Sequence, residues 1–122
     1  MSPLAEFGLL VGAGVVGALL RHGAAVLAAR TRFPIAVLIV NAVGSLVGGV
    51  AIGAASALPP AAQLILVSGF CGALTTFSTF AADTVRLALT GRAGAALWNV
   101  ISNLALGLGC AALGAALGLA VV

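Results

Sequence analysis

Long apolar runs alternate with short polar breaks along this chain. The runs extend from about Phe7 to Ala29, from Ile35 to Leu58, from Ala61 to about Ala82, and from Gly94 to Val122. The breaks are Arg30 to Pro34, Pro59-Pro60, and Asp83 to Arg92, the last closing on Thr90-Gly91-Arg92. Each run matches the roughly 20 helical residues needed to cross a hydrocarbon core of about 30 Å. The pattern predicts an all-α membrane protein with one domain, residues 1–122, made of four transmembrane helices.

Composition supports this reading. Of 122 residues, 63% are hydrophobic and 6% charged, and the mean hydropathy is +1.33, far outside the range of soluble domains. The stretch AAVLAA (24–29) resembles a signal-cleavage region, but no basic segment precedes it, the apolar run is too long, and Arg21-His22 interrupts it, so the first run is expected to be a span. The formal charge of +3 comes from five arginines scattered at span ends, which form no basic patch. The expected surroundings are therefore membrane lipid, with no nucleic-acid partner. Arg30 and Arg32 lie in the first loop, and Arg86 and Arg92 flank the third. The second loop has no basic residue, and the N-terminus offers only Glu6. The positive-inside rule then places loops one and three in the cytoplasm and both termini outside, in a multi-pass protein of the cell membrane.

Between helices in lipid the hydrophobic effect contributes little, so close backbone contact and interhelical hydrogen bonds must hold a bundle together. Gly8/Gly12, Gly44/Gly48, Gly49/Gly53 and Gly114/Gly118 stand at the four-residue spacing that such contact uses. Cys71 and Cys110 both fall within spans, where a disulfide framework is not expected and Cys71 serves as a small packing residue.

One stretch departs from the apolar pattern. GFCGALTTFSTF, residues 69–80, sets Thr75, Thr76, Ser78 and Thr79 almost in a row inside the third run. Bonding to the carbonyl one turn back accounts for one or two of these hydroxyls, but four in five positions point around most of a helix. Gly69 and Gly72 weaken the helix by roughly 1 kcal/mol each. A helix break near residues 72–76 follows, and free backbone groups at that depth are tolerated only where they are buried or line a site. Freed carbonyls hold cations in the broken helices of transporters, which makes Gly72 and Thr75 candidate carbonyl ligands for a small cation. The hydroxyls, as donors, could replace the water shell of a small anion.

Other residues extend the candidate site. Phe77 and Phe80 share a face if the helix resumes, either as core packing or with electropositive ring edges turned toward an anion. Asn41, in LIVNAVGS (38–45), is either an interhelical clamp or a donor in the same polar track, and Asn99, Ser102 and Asn103 pose the same choice on the fourth span. Asn99 and Asn103 are one turn apart and face one way. Arg21, one or two turns from its span's cytoplasmic end, either snorkels to the interface or forms an electropositive vestibule, and His22 beside it is expected at the interface.

The motif GFCGALTTFSTF, with VGALLR (16–21), LIVNAVGS (38–45), Gly91-Arg92 and WNVISNLALG (98–107), closely resembles the Fluc fluoride channels, also called the CrcB family. The likeness covers nearly the whole chain. It implies an antiparallel dimer of four-helix subunits that passes fluoride passively out of the cytoplasm through two pores and so relieves fluoride toxicity. It also implies a structural sodium ion at the third-span break, a role that maps onto Gly72 and Thr75. The family's pore phenylalanines correspond to Phe77 and Phe80, its pore asparagine to Asn41, its hydroxyl track to Ser78 and Thr79, and its first-span arginine to Arg21. Departures lie at Gly72-Ala73, where members often have two glycines, at Ala81, where many carry serine, and at Gly107 and Ala111, where some have hydroxyls, so Ser102 or Asn103 is expected to take over that share of the pore. The arginine bias departs from the balance of homodimeric members, so a heterodimer with a homologous, oppositely oriented chain stands beside the homodimer.

Rival readings fit less well. A proton-coupled multidrug exporter needs a carboxylate deep in the membrane and aromatics to hold a cationic drug. Here Glu6 and Asp83 sit at span ends and there is no tyrosine. A membrane scaffold leaves the hydroxyls unused. Enzymatic chemistry is not expected, because one histidine, two carboxylates and two apolar-span cysteines supply neither a metal cluster nor a nucleophile with its base.

Overall fold

The first helix starts where its end groups are satisfied. Ser2 Oγ accepts the Ala5 N–H at 3.3 Å, and Pro3 occupies the first turn, where a missing N–H breaks no bond. In the computed structural model, which describes residues 1–122, α1 runs Pro3–Leu27 and α2 runs Ile35–Gly53. Thr31 Oγ1, shared between the Ala28 and Phe33 carbonyls at 2.8 Å each, shapes the loop between them.

α2 ends five residues before the Leu58 boundary expected from the apolar run, and residues 54–58 form turns that lead into Pro59-Pro60. Proline disfavours a helical residue before it, so apolarity here outlasts the helix. The third span starts as α3 (Pro60–Leu64), widens into a π-helical stretch at Ile65–Cys71, tightens into α4 (Gly72–Leu74), and stops. Thr75 and Thr76 are extended, and α5 resumes at Phe77–Leu89. α5 ends on Gly91, whose φ of +77° suits a residue without a side chain. The Arg92 and Gly91 N–H groups donate back to Leu87 O at 2.9 Å and Ala88 O at 3.2 Å, closing a Schellman turn before α6 (Ala93–Ala120).

Four helical runs, Pro3–Leu27, Ile35–Gly53, Pro60–Leu89 and Ala93–Ala120, are long and apolar enough to cross a membrane, the third broken within its span. Only 17 of the 122 residues are buried, so most large apolar side chains point outward, as lipid or a partner subunit requires.

The inner packing rests on small residues. α2 and α6 interlock reciprocally: Gly49 and Gly53 lie against the Ala111 and Ala115 backbone, while Gly114 and Gly118 lie against the backbone of Leu46, Val50 and Ala54. A Cβ at any of these positions would collide with main chain. Gly44 accommodates the Thr75 methyl, Gly48 faces Cys71 Sγ, and Gly17 of α1 fits under the Phe70 carbonyl. Gly8 and Gly12 have nothing within 4 Å, so that pair makes no close approach within the chain.

Candidate functional site

The site grows from the break. Thr76 Oγ1 accepts the Thr79 N–H at 3.2 Å, capping α5, and also bonds Thr79 Oγ1 at 3.0 Å and Ser78 Oγ at 3.3 Å. In a continuous helix the Thr76 N–H would donate to Gly72 O; it donates instead to Asn41 Oδ1 at 2.8 Å. Asn41 Nδ2 in turn donates to Thr76 O at 3.3 Å. One side-chain amide on α2 thus pairs both main-chain groups of a residue in the break. An unsatisfied group in hydrocarbon costs several kcal/mol, so this pairing stabilises the interruption. With the Thr76 and Thr79 N–H groups drawn away, the Gly72 and Thr75 carbonyls lack the donors that an unbroken helix supplies.

From Asn41 the polar contacts continue through α6. Asn41 Nδ2 donates to Asn103 Oδ1 at 3.1 Å, and Asn103 Nδ2 donates to Asn99 O at 2.9 Å and Asn99 Oδ1 at 3.0 Å. Asn99, wholly buried, donates to Thr84 Oγ1 at 2.9 Å, and Thr84 Oγ1 donates to Phe80 O at 2.8 Å.

Asn41, Thr75, Thr76, Phe77, Phe80 and Asn103 line a cavity of about 270 Å³ beside the break. Ser45, Leu104 and Gly107 complete its wall. The two phenylalanine rings stand 5.6 Å apart between centroids and are tilted by 53°, so edges as well as faces are presented. Thr76 is shared with a second cavity of about 230 Å³, where Arg21 and His22 face Thr79. Thr79 is shared in turn with a third, about 500 Å³, at the end of the bundle carrying Arg32, Asp83, Arg86 and Arg92. There Arg92 Nη1 donates to Arg32 O at 2.6 Å, joining the first and third loops. The Arg86–Asp83 pair, 4.0 Å apart with Arg86 mostly exposed, contributes little. Three adjoining cavities thus lead from an arginine-rich mouth, past Arg21 and the Thr79 and Thr76 hydroxyls, to the phenylalanines.

The sequence profile described as CrcB-like protein, camphor resistance (CrcB), matches residues 9–115. The chain belongs to the CrcB family. Among its CrcB relatives, the "fluoride-specific ion channel FluC 2" of Natronomonas pharaonis is 45% identical over 113 residues, 92% of this chain and 94% of the relative. The "fluoride-specific ion channel FluC" of Renibacterium salmoninarum is 44% identical over 116 residues, covering 86% and 92% of the two chains, and that of Deinococcus radiodurans is 40% identical over 111 residues, covering 86% and 88%.

Within this CrcB chain the structure gathers some of the residues singled out in the sequence and separates others. Asn41, Thr75, Phe77, Phe80 and Asn103 meet at one cavity, with Gly72 just before the break. Thr79 and Arg21 lie in the adjoining cavity. Ser78 is exposed beside Thr76, away from the phenylalanine cavity. Ser102 Oγ donates to its own helix, at Trp98 O (2.6 Å) and Asn99 O (3.4 Å), and does not reach that cavity. Thr76, Ser45 and Thr84 carry more of the arrangement than the sequence suggested. For Thr76 a signal was available: a threonine three residues before Thr79 at a helix start is a common N-cap.

Proposed function

We propose that this protein is a fluoride-selective channel that lets fluoride leave the cytoplasm passively, relieving its toxicity. The carrying observation is the cavity at the break, where the amide donor of Asn41, held by Asn103 Oδ1, and the edges of Phe77 and Phe80 converge beside a string of hydroxyls. The names of the CrcB relatives support the same ion. Fluoride holds its water tightly and enters an apolar slot only where donors replace that water. The Asn41 bond to Thr76 O, at 3.3 Å the longer of its two donations, is the one an anion displaces. Arg21 and the mouth arginines raise the local anion concentration.

The working unit is an antiparallel homodimer whose second subunit covers Phe77, 78% exposed in the isolated chain. Sodium fits the break: the Gly72 and Thr75 carbonyls are hard oxygen ligands without helical donors, and no cluster of His, Cys, Asp or Glu competes for such a role. Bound there, sodium neutralises oxygen dipoles and fastens the break. A second reading is favoured by Arg32, Arg86 and Arg92 gathering at one end: this chain has a fixed orientation, with loops one and three cytoplasmic, and conducts with a homologous chain of opposite orientation.

The test is fluoride efflux from liposomes containing this chain alone, followed by a fluoride electrode with chloride as comparison. Rapid, fluoride-selective efflux is expected. Equal passage of both ions, or silence both alone and with an opposite-facing homologue, would overturn the proposal.

A further inference from the structure

The hydrogen bonds from the break to α6 have a single direction. A main-chain N–H can only donate, so the Thr76 N–H forces Asn41 to turn Oδ1 toward it, which leaves Nδ2 to donate to Thr76 O and to Asn103. At the far end, a main-chain carbonyl can only accept. Thr84 Oγ1 spends its one hydrogen on Phe80 O and can therefore only accept from Asn99. Asn99 must then present Nδ2 to Thr84 and Oδ1 to Asn103, and Asn103 must present Nδ2 to Asn99 and Oδ1 to Asn41. The circuit leaves residue 76, crosses α2 and α6, and returns at residue 80 of the same span. Reversing any one amide puts like against like at both its neighbours, so the circuit has one consistent polarity, which the Thr76 main-chain groups also impose on Asn41 and the Asn99 main-chain carbonyl on Asn103.

We propose that Asn99 and Thr84 are positioning residues: they touch no cavity occupant, but by holding the Asn99 amide against Asn103 they steady the Asn103 and Asn41 side chains that border the cavity of the two phenylalanines. Asn99 is wholly buried, and neither it nor Thr84 lines that cavity. Without the anchor at Phe80 O, the Asn99 side-chain amide loses its far partner and can drift from Asn103, whose Nδ2 then keeps only the Asn99 main-chain carbonyl. The Asn103 Oδ1 that receives the Asn41 donor is held less firmly as a result. This role rests on the proposed anion path for its effect on transport, but not for its effect on the amides.

The test compares the full-length assembled protein with Thr84→Val, nearly the same shape without the hydroxyl, and Thr84→Ser, which keeps it. The first readout is the side-chain amide ¹⁵N–¹H spectrum in nanodiscs. Thr84→Val is expected to shift or broaden the Asn103 and Asn41 signals, although Thr84 hydrogen-bonds to neither residue, and Thr84→Ser to restore them. The second is ion flux in liposomes: Thr84→Val is expected to lower fluoride passage about tenfold, the factor carried by one ordinary hydrogen bond, with Thr84→Ser within about twofold of the parent. Unchanged Asn41 and Asn103 signals in an assembled Thr84→Val protein would overturn the proposal, since a merely packed threonine has that outcome. Moved amide signals in a parent that passes no fluoride would uphold the circuit and remove the channel reading instead. Should Thr84→Val fail to assemble, hydrogen–deuterium exchange of the parent decides: slow exchange at the Asn99 and Asn103 side-chain amides supports the circuit, and exchange as fast as a free amide overturns it.

Discussion

Phe77 lies within the third span, yet the residue is 78% exposed and borders the cavity that Asn41 and Phe80 also line. A purely structural phenylalanine would be expected to face the chain's own core; this one faces a cavity and, beyond it, whatever covers the subunit. Replacing Phe77 or Phe80 with serine should therefore lower fluoride flux about tenfold, in keeping with the roughly 1 kcal/mol of a ring-edge contact, while leaving an intact dimer on size-exclusion chromatography. Normal flux in both variants would assign the rings to packing alone. Asn41 has a heavier duty, because its amide satisfies the Thr76 N–H and carbonyl together. Aspartate keeps the acceptor but loses both donations and places a negative charge beside the proposed anion path. Asn41→Asp should cut flux by about a hundredfold or more, since even a partly screened like charge costs several kcal/mol at contact distance. Electrode traces at the parent rate would show that Asn41 holds the break and does nothing for the ion.

The helices follow from the sequence because apolar length and proline placement are local properties, and the break was legible for a similar reason: four hydroxyls and two glycines in a short stretch cannot be reconciled with one lipid-facing helix. What could not be read depends on approach between elements. Nothing local marks Ile65–Cys71 as π-helical or says that Asn99 meets Thr84 rather than a pore. Likewise four Gly-x-x-x-Gly pairs looked equivalent as text, but Gly49/Gly53 and Gly114/Gly118 interlock α2 with α6 while Gly8/Gly12 meet nothing in the chain. This difference is testable. Gly49→Leu drives a side chain into the Ala111 backbone and should lower the thermal unfolding midpoint sharply or prevent folding, because overpacking costs about 1–3 kcal/mol even where neighbours can yield. Gly8→Leu should leave the midpoint of the isolated subunit nearly unchanged, and a matched loss in both variants would mean that α1 packs differently from the structure.

At the scale of the whole molecule, two features ask for a second subunit: a break whose Gly72 and Thr75 carbonyls lack helical donors, and an arginine distribution with a strong side. If sodium fastens two such breaks together, replacing sodium by a large organic cation should dissociate or destabilise the dimer, and a dimer equally stable in both salts on analytical ultracentrifugation would refute the carbonyl site. The arginines pose the sharper question. An antiparallel homodimer needs equal numbers of this chain in each orientation, whereas the positive-inside rule acting on Arg30, Arg32, Arg86 and Arg92 favours one. Ser2→Cys offers a direct count, since residue 2 is exposed at the end opposite the arginine-bearing loops, Cys71 is buried, and Cys110 lies within α6. With an impermeant thiol reagent on intact cells, the homodimer predicts label on about half of the chains, the rest reacting only after lysis. Labelling of every chain from outside would mean that the arginines determine the orientation. The opposite subunit must then come from a homologous chain with its basic residues at the other end, and fluoride flux should appear only when the two are expressed together.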